Sequence, residues 1–308
     1  MKEPVITVVV CTYNNARLLP HCLDSLVNQT LNNALYEVII VDNNSKDRTQ
    51  QIAKKYAEKH DNFYLTDESN QGLSFARNKG WSSAKGKYIA FIDDDAKATP
   101  KWCQKIIESF ENVIPKPVAV GGRIHPWYET DPPKWFSDEL EIRSLGTSAH
   151  FLKGRRAQYG FSGSNMALPI EILNEYKGFS TNYGMVEKKL RLGEDAELFS
   201  RIYKKEPFFW YDPEIIVYHW TSISKMSLKY RIARSYKSGQ TIAQIEKPEV
   251  TIKNYLRELV SFFYFLMKIP YNIMKPKKKD KKLHHIRLLE QIAFQIGSLI
   301  EQLNNINK

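Results

Sequence analysis

Four short apolar runs recur through the N-terminal third of the chain, and each gives way to a polar cluster. Residues 6–11, 36–41, 62–65 and 88–92 have the length and the Val, Ile and aromatic content of buried strands. Between them lie residues 16–29, 48–60 and 73–84, and the first of these carries Leu18, Leu19, Cys22, Leu23, Leu26 and Val27 at helical spacing. Strand and helix in alternation predict a doubly wound α/β fold with a mostly parallel sheet flanked by helices, whose ligand sits at the carboxyl ends of the strands. The clusters that follow the runs are Thr12-Tyr13-Asn14-Asn15, Asp42-Asn43-Asn44-Ser45-Lys46-Asp47, Asn70-Gln71-Gly72 and Asp93-Asp94-Asp95. Such a fold brings them to one edge of the sheet, which suits a site better than a scaffold.

The last cluster is chemically the most specific. Three adjacent carboxylates repel one another and cannot be buried unpaired. A divalent metal would relieve them, and ligands that are all oxygen favour Mg²⁺ or Mn²⁺. The competing reading is an acidic turn ahead of a helix that starts near Pro100, with Asp95 or Thr99 as its cap.

Past residue 100 the pattern predicts a helix over 101–110, a strand over 118–122, a loop rich in proline and aromatic residues at 125–136, a helix over 192–205 and a strand over 215–220. The chain of 308 residues, 43% hydrophobic, is long enough for one large domain with an appendage. Cys11, Cys22 and Cys103 form no C-x-x-C pair and no disulfide framework, which points to a reducing compartment. The apolar run at 5–10 is too short for a signal peptide, so a cytoplasmic location is expected. The net charge of +11 is uneven: residues 221–308 hold 17 Lys+Arg against 6 Asp+Glu, and residues 1–220 hold 28 of each. A negatively charged partner should therefore meet the C-terminal end.

Five segments, taken in order, resemble inverting glycosyltransferases of family 2, which have the GT-A fold. They are Val8-Val-Val-Cys-Thr-Tyr-Asn-Asn15, Val38-Ile-Ile-Val-Asp-Asn-Asn-Ser-Lys-Asp-Arg-Thr49, Asn70-Gln-Gly-Leu-Ser-Phe-Ala-Arg-Asn-Lys-Gly80, Phe91-Ile-Asp-Asp-Asp95 and Leu192-Gly-Glu-Asp-Ala-Glu-Leu-Phe-Ser-Arg-Ile202. The resemblance covers about residues 4–220 and implies a site residue by residue. Thr12, Tyr13, Asn14 and Asp42 would bind the nucleotide, with Asp42 accepting from a uracil N–H; an Asx turn or helix cap explains Asp42 equally well. Asn70, Gly72 and Arg77 would lie on the nucleotide side, Arg77 aiming a cation at the diphosphate or at the acids, or serving only as a partner of Asp93. Asp95 would ligate the metal, Asp94 a ribose hydroxyl, Asp93 the metal shell, and His219 would complete the shell unless it is a core residue. Glu194 and Asp195 match the family's acidic pair. Asp195 would be the base that takes the acceptor proton, although both residues could simply cap a helix. Ser164 and Asn165 would line the donor pocket, and Trp127 and Trp135 would stack on acceptor sugars or merely pack a loop.

On these grounds residues 1–222 form the transferase domain, 1–100 its nucleotide-sugar half and 101–222 its acceptor half, and residues 223–308 form a basic helical region. The implied reaction moves a sugar from a nucleoside-diphospho-sugar, UDP-linked, to a hydroxyl of a saccharide or lipid-linked saccharide, with Mn²⁺ or Mg²⁺ as cofactor. The alternatives are a sugar-1-phosphate nucleotidyltransferase, against which the lack of a Gly-rich, Arg-containing loop at Thr12-Tyr-Asn-Asn argues, and a non-catalytic nucleotide-sugar-binding relative, against which the presence of Asp95 and Asp195 argues. Residues 255–283 set an aromatic apolar stretch beside a lysine run, which predicts peripheral contact with the inner face of a membrane; a helix packed on the domain is the alternative. Leu289, Ile292, Ile296, Leu299, Leu303 and Ile306 form a short seam at 283–306 that could dock on its own domain, pair in a homodimer or meet lipid. No nucleic-acid module accompanies the lysines, so no nucleic-acid partner is expected.

Overall fold

The computed structural model describes residues 3–186, 192–246, 251–274 and 281–306. Its first part alternates as β1 (Ile6–Thr12), α1 (Leu19–Val27), β2 (Tyr36–Asp42), α2 (Thr49–Lys59), β3 (Phe63–Asp67), α3 (Leu73–Ser82) and β4 (Tyr88–Asp93). β1 pairs in parallel with β2 and β4, and β2 with β3. Val8, Val10, Val38, Ile40, Ala90 and Ile92 pack on one side with Leu19, Leu23 and Trp102. Val9, Ile39, Val41, Ile89 and Phe91 turn the other way, among Ala76, Leu168 and Leu198. Side chains alternate along a strand, so a strand covered on both faces reads as one unbroken apolar run. Each such Val, Ile or Leu contributes roughly 1.5–3 kcal/mol on full burial.

Beyond β4 come β5 (Ala96–Ala98), α4 (Trp102–Asn112), β6 (Ala119–Tyr128), β7 (His150–Phe151), β8 (Met166–Pro169), α5 (Ile170–Glu175), α6 (Glu194–Tyr203) and β9 (Phe209–Thr221). β8 runs antiparallel to β4 and β6, and β5 and β7 run antiparallel to β9. The whole is one mixed sheet of order β3-β2-β1-β4-β8-β6-β9-β5, with β7 on β9. β6 absorbs the start of the aromatic loop, β8 emerges from the small-residue segment after Phe161, and β9 begins at Phe209 rather than at 215. These strands take their partners from distant parts of the chain, and that pairing overrides local pattern. Gly122 would ordinarily break a strand, yet a Cβ there would lie 2.0 Å from the Ile215 carbonyl oxygen, so glycine is what lets β6 approach β9.

Contacts divide the chain into two compact units. One comprises Met1–Trp127, Glu141–Lys189 and Glu194–Trp220; the other comprises Tyr128–Leu140, Leu190–Gly193 and Thr221–Lys308. The second unit contains α7 (Leu228–Glu246), α8 (Ile252–Met274) and α9 (Lys281–Ile306). The sequence pattern does not predict α7, since Gly239 sits in its middle. A Cβ at Gly239 would fall 1.9 Å from the Phe294 carbonyl oxygen, and one at Gly297 would fall 2.1 Å from that of Tyr236. The two glycines therefore bring the backbones of α7 and α9 together, and Arg231 Nη2 lies 2.7 Å from Glu290 Oε1 across the same pair. Of the expected seam on α9, Leu299 is buried, whereas Leu289, Ile296 and Leu303 are exposed. Within the expected lysine run, residues 275–280 lie outside the described residues. Among the described residues no helix is long and apolar enough to cross a membrane.

Candidate active site

The carboxyl ends of β1 and β2 lie side by side, with Thr12 opposite Asp42. Asp42 is only 2% exposed; its Oδ2 accepts from the Ser45 amide at 3.3 Å, and its Oδ1 is buried with no hydrogen-bond partner among the described residues. Burial pushes the Asp42 carboxyl up from its ordinary value, against the Ser45 hydrogen bonds, and Asp67 and Asp47 add to the rise. A buried acceptor without a donor is costly, and a ligand N–H would satisfy it. Asn14, at φ 49, clasps the neighbouring loop: its Oδ1 accepts from the Lys46 amide at 2.6 Å and its own amide donates to Ser45 Oγ at 3.0 Å. Tyr13 is half-buried beside it.

Asn43 organises the next loop, a role the sequence did not reveal. Its Nδ2 donates to the carbonyls of Glu68 (2.9 Å) and Asn70 (2.7 Å), and its Oδ1 accepts from the Gly72 amide at 2.7 Å. The available signal was the Asp42-Asn43-Asn44 run, since Asn readily takes positive φ and bonds nearby backbone; Asn44 has φ 65. Gly72, at φ 145, opens α3, and the Asn70 amide turns back to Glu68 Oε1 at 2.7 Å.

At the end of β4 the three acids separate by environment. β5 pairs with β9 so that Ala96 faces His219. This sets His219 Nε2 3.4 Å from Asp93 Oδ2 and 3.3 Å from Asp95 Oδ1, while the Trp220 amide donates to the Asp95 carbonyl at 2.8 Å. Ligand atoms of Asp93, Asp95 and His219 all lie within 4.8 Å of one another, a grouping that could hold a metal ion. The two carboxylates are oxygen donors of the kind Mn²⁺ and Mg²⁺ take, and the imidazole adds a nitrogen donor that other divalent transition metals also accept. Burial disfavours charge on Asp93, but His219 and Arg77 outweigh it and hold the carboxyl well below its usual range. Asp94 behaves oppositely. Burial, reinforced by Asp95, raises it to about 7, although Thr12 Oγ1 donates to Asp94 Oδ2 at 2.5 Å.

Arg77, 3% exposed, joins this group to the start of α6. Its Nη1 lies 2.6 Å from Glu194 Oε1 and its Nη2 lies 3.3 Å from Asp93 Oδ1. Burial opposes its charge, yet Glu194 and Asp93 raise its affinity for the proton. Burial and the Asp195 charge push the Glu194 carboxyl up while Arg77 pulls it down. Asp195 is held by two backbone amides, Gly163 to Oδ2 at 2.9 Å and Ala196 to Oδ1 at 2.7 Å. A Cβ on Gly163 would lie 2.1 Å from Arg77 Nη2, so the glycine makes room for the guanidinium. Sequence separation hides this network: Arg77 and Glu194 are 117 residues apart.

Ser164 and Asn165 are both fully buried. Asn165 serves the framework: Trp102 Nε1 donates to its Oδ1 at 2.9 Å, and its Nδ2 donates to the carbonyls of Arg123 and Ile215. Trp127 meets Trp220 edge-on at 4.7 Å and His21 at 5.0 Å, with Lys97 Nζ 3.6 Å from its ring centre. Arg17 covers Trp220 at 5.1 Å. Trp135 belongs to the second compact unit, where it packs on Phe136 at 5.4 Å and lines an apolar cavity of about 630 Å³.

A half-parallel sheet, polar loops gathered at its carboxyl edge and an Asp-Asp-His group beside a buried arginine are the arrangement of a site for a charged ligand, with room for a metal ion. Comparison with known proteins gives the family. The family described as "Glycosyl transferase family 2" matches residues 7–176, more than half of the chain, so the protein belongs to that family. The "Putative glycosyltransferase EpsH" of Bacillus subtilis is 38% identical over 109 residues, which are 35% of this chain and 31% of that one. The "Glucosyl-dolichyl phosphate glucuronosyltransferase" of Haloferax volcanii is 30% identical over 206 residues, 65% of this chain and 64% of that one. The match thus spans less than two thirds of either relative's own length. Among solved structures, the mannosyltransferase PcManGT of Pyrobaculum calidifontis, in complex with GDP-Man and Mn²⁺, superposes at TM-score 0.64 with 18% identity, covering 98% of this chain and 88% of that one. Residues 1–349 of S. aureus TarS in complex with UDP-GlcNAc superpose at TM-score 0.54 with 16% identity, covering 95% and 90%. These likenesses establish the GT-A fold.

Proposed function

We propose that the protein transfers a sugar from a UDP-sugar to a hydroxyl of a saccharide or lipid-linked saccharide, with inversion at the anomeric carbon and with a divalent metal. The observation that carries this reading is the Asp93, Asp95 and His219 group linked through Arg77 to Glu194 and Asp195. Mn²⁺ or Mg²⁺ held by Asp95, His219 and Asp93 would supply positive charge to the donor's phosphates and offset the charge collecting on the leaving diphosphate. Residues 1–100 would hold the donor and residues 101–222 the acceptor side. Nucleotide sugars in the compared structures, GDP-Man in one and UDP-GlcNAc in another, support a donor of this kind.

The chain's own residues then have distinct tasks. Asp42 Oδ1, buried and unmatched, accepts the N–H of a uracil-like base. Thr12, Tyr13 and Asn14 form the loop beneath that base, and Asn70 and Gly72 close the neighbouring side; Asp94 faces a ribose hydroxyl. Arg77 fixes Asp93 against Glu194. Asp195, oriented by two backbone amides, removes the acceptor hydroxyl proton with a carboxylate oxygen as that hydroxyl oxygen bonds to C1. The C1–O bond to the diphosphate breaks, and its electron pair leaves with the nucleoside diphosphate. One base suffices, because no covalent sugar–enzyme intermediate forms. A role in cell-surface polysaccharide or glycan synthesis fits relatives such as the glucuronosyltransferase acting on glucosyl-dolichyl phosphate.

The test is a screen of UDP-sugars for hydrolysis with Mn²⁺, on the wild type and on Asp195→Asn. Release of sugar by the wild type, reduced about 10²–10⁴-fold in Asp195→Asn, supports the assignment. An Asp195→Asn variant as active as the wild type would remove Asp195 as the base.

A further inference from the structure

Helix α8 turns its largest apolar side chains outward. Ile252, Leu256, Val260, Phe263, Tyr264 and Met267 are all exposed, Val260 at 68%, Phe263 at 56% and Met267 at 72%. With 3.6 residues per turn, these six fall within an arc of about 120° on one face. The reverse face is occupied: Tyr255, Phe262, Phe265 and Leu266 are half-buried there. Glu258 Oε2, on that side, accepts from Gln302 Nε2 of α9 at 2.6 Å. The orientation of α8 on α9 is thus fixed with the apolar stripe facing away.

Charge along the helix is sorted in the same sense. Glu258 is the only acid in Ile252–Met274, and it lies on the side that meets α9. Lys253 lies just inside the Tyr264 edge of the exposed stripe and Arg257 and Lys268 just beyond it, and Lys268 Nζ sits 4.1 Å from the centre of the Tyr264 ring. Contiguous exposed apolar surface marks a contact site. An aromatic-aliphatic stripe edged by cations has the composition of a helix lying in the headgroup layer of a bilayer. Pairing with a second copy through this stripe would crowd the same three cations against one another, whereas anionic headgroups would satisfy them.

We propose that α8 is a membrane-surface helix that docks the protein on anionic lipid, its stripe among the upper acyl chains and Lys253, Arg257 and Lys268 among the headgroups. The helix lies along the surface, since no helix among the described residues can span a bilayer. The contact does not depend on sugar transfer and is tested without it.

The experiment is flotation of the full chain with vesicles of phosphatidylcholine alone or mixed with phosphatidylglycerol. The wild type is expected to float with the mixed vesicles and far less with the neutral ones. The triple variant Val260→Glu/Phe263→Glu/Met267→Glu should lose binding by about tenfold or more. Lys253→Glu/Arg257→Glu/Lys268→Glu should weaken it and flatten its dependence on salt. All six positions are exposed, so circular dichroism should be unchanged in both variants. The proposal is overturned if the wild type ignores the mixed vesicles or if the apolar-to-glutamate variant floats as well as the wild type. A wild-type dimer that this variant converts to monomer would also overturn it and give the face to a second copy.

Discussion

The two compact units handle charge and apolar surface in opposite ways. In the first, ionisable groups are buried at the site: Arg77, 3% exposed, is paired with Glu194 and Asp93, and Asp42, 2% exposed, is held through its Oδ2 by the Ser45 amide. In the second, which holds most of the chain's excess positive charge, six large apolar side chains of α8 stand in solvent. Each violates the usual sorting of residues, and each violation is informative. A buried charge persists only where partners hold it in a fixed geometry, which is what a reacting site requires. An exposed apolar stripe costs the fold little and finds its use in contact with something else.

Substitutions sharpen that contrast. The largest effect on stability is expected from Arg77→Leu, which strands Glu194 as a buried, unpaired acid and leaves Asp93 with His219 alone. Loss of one partner of a buried pair costs about 3–5 kcal/mol, whereas Val260→Ser on α8 should stay within about 0.5 kcal/mol. Urea denaturation of the two variants decides it, and equal stabilities would break the comparison. Next is Gly163→Ala, whose Cβ would lie 2.1 Å from Arg77 Nη2. With the guanidinium held between two acids, overpacking here should cost about 1–3 kcal/mol and lower turnover; an unaltered melting temperature would mean that Arg77 yields freely.

The smallest effect is a pH dependence. Burial raises the folded-state pKa of Asp42, so its contribution to the stability of the ligand-free protein is fully present below the unfolded carboxylate value and is lost as pH rises through the folded value. Between acid and neutral pH the wild type should therefore lose stability relative to Asp42→Asn. Urea midpoints of both proteins at the two pH values measure this, and a wild type that instead gains on Asp42→Asn toward neutral pH would contradict the unmatched Asp42 Oδ1.

β1 to β4 were legible because strands buried on both faces appear as plain apolar runs, and the polar clusters follow directly at their ends. Asp93, Asp95 and His219 could be singled out by residue type and by the family's motif order, and the β5–β9 pairing brings them together. The short strand β8, the glycine-bearing α7 and the full length of β9 were not legible, since long-range pairing and close helix contact decide them rather than local pattern. Asn43 went unnoticed because a loop-bracing asparagine looks like any polar turn residue. Arg77 was legible as a cation near the acids, but its tie to Glu194 lies 117 residues away and leaves no local trace. The tryptophans were the least legible: Trp127 and Trp135 stand close in sequence and fall in different compact units.

Asp95 is the residue on which the proposed metal-dependent donor site depends. Calorimetric titration of UDP with and without Mn²⁺, on the wild type and on Asp95→Ala, tests it most directly. Binding by the wild type is expected to require Mn²⁺ and to disappear in Asp95→Ala. Binding that is indifferent to Mn²⁺, or that survives intact in Asp95→Ala, would contradict it.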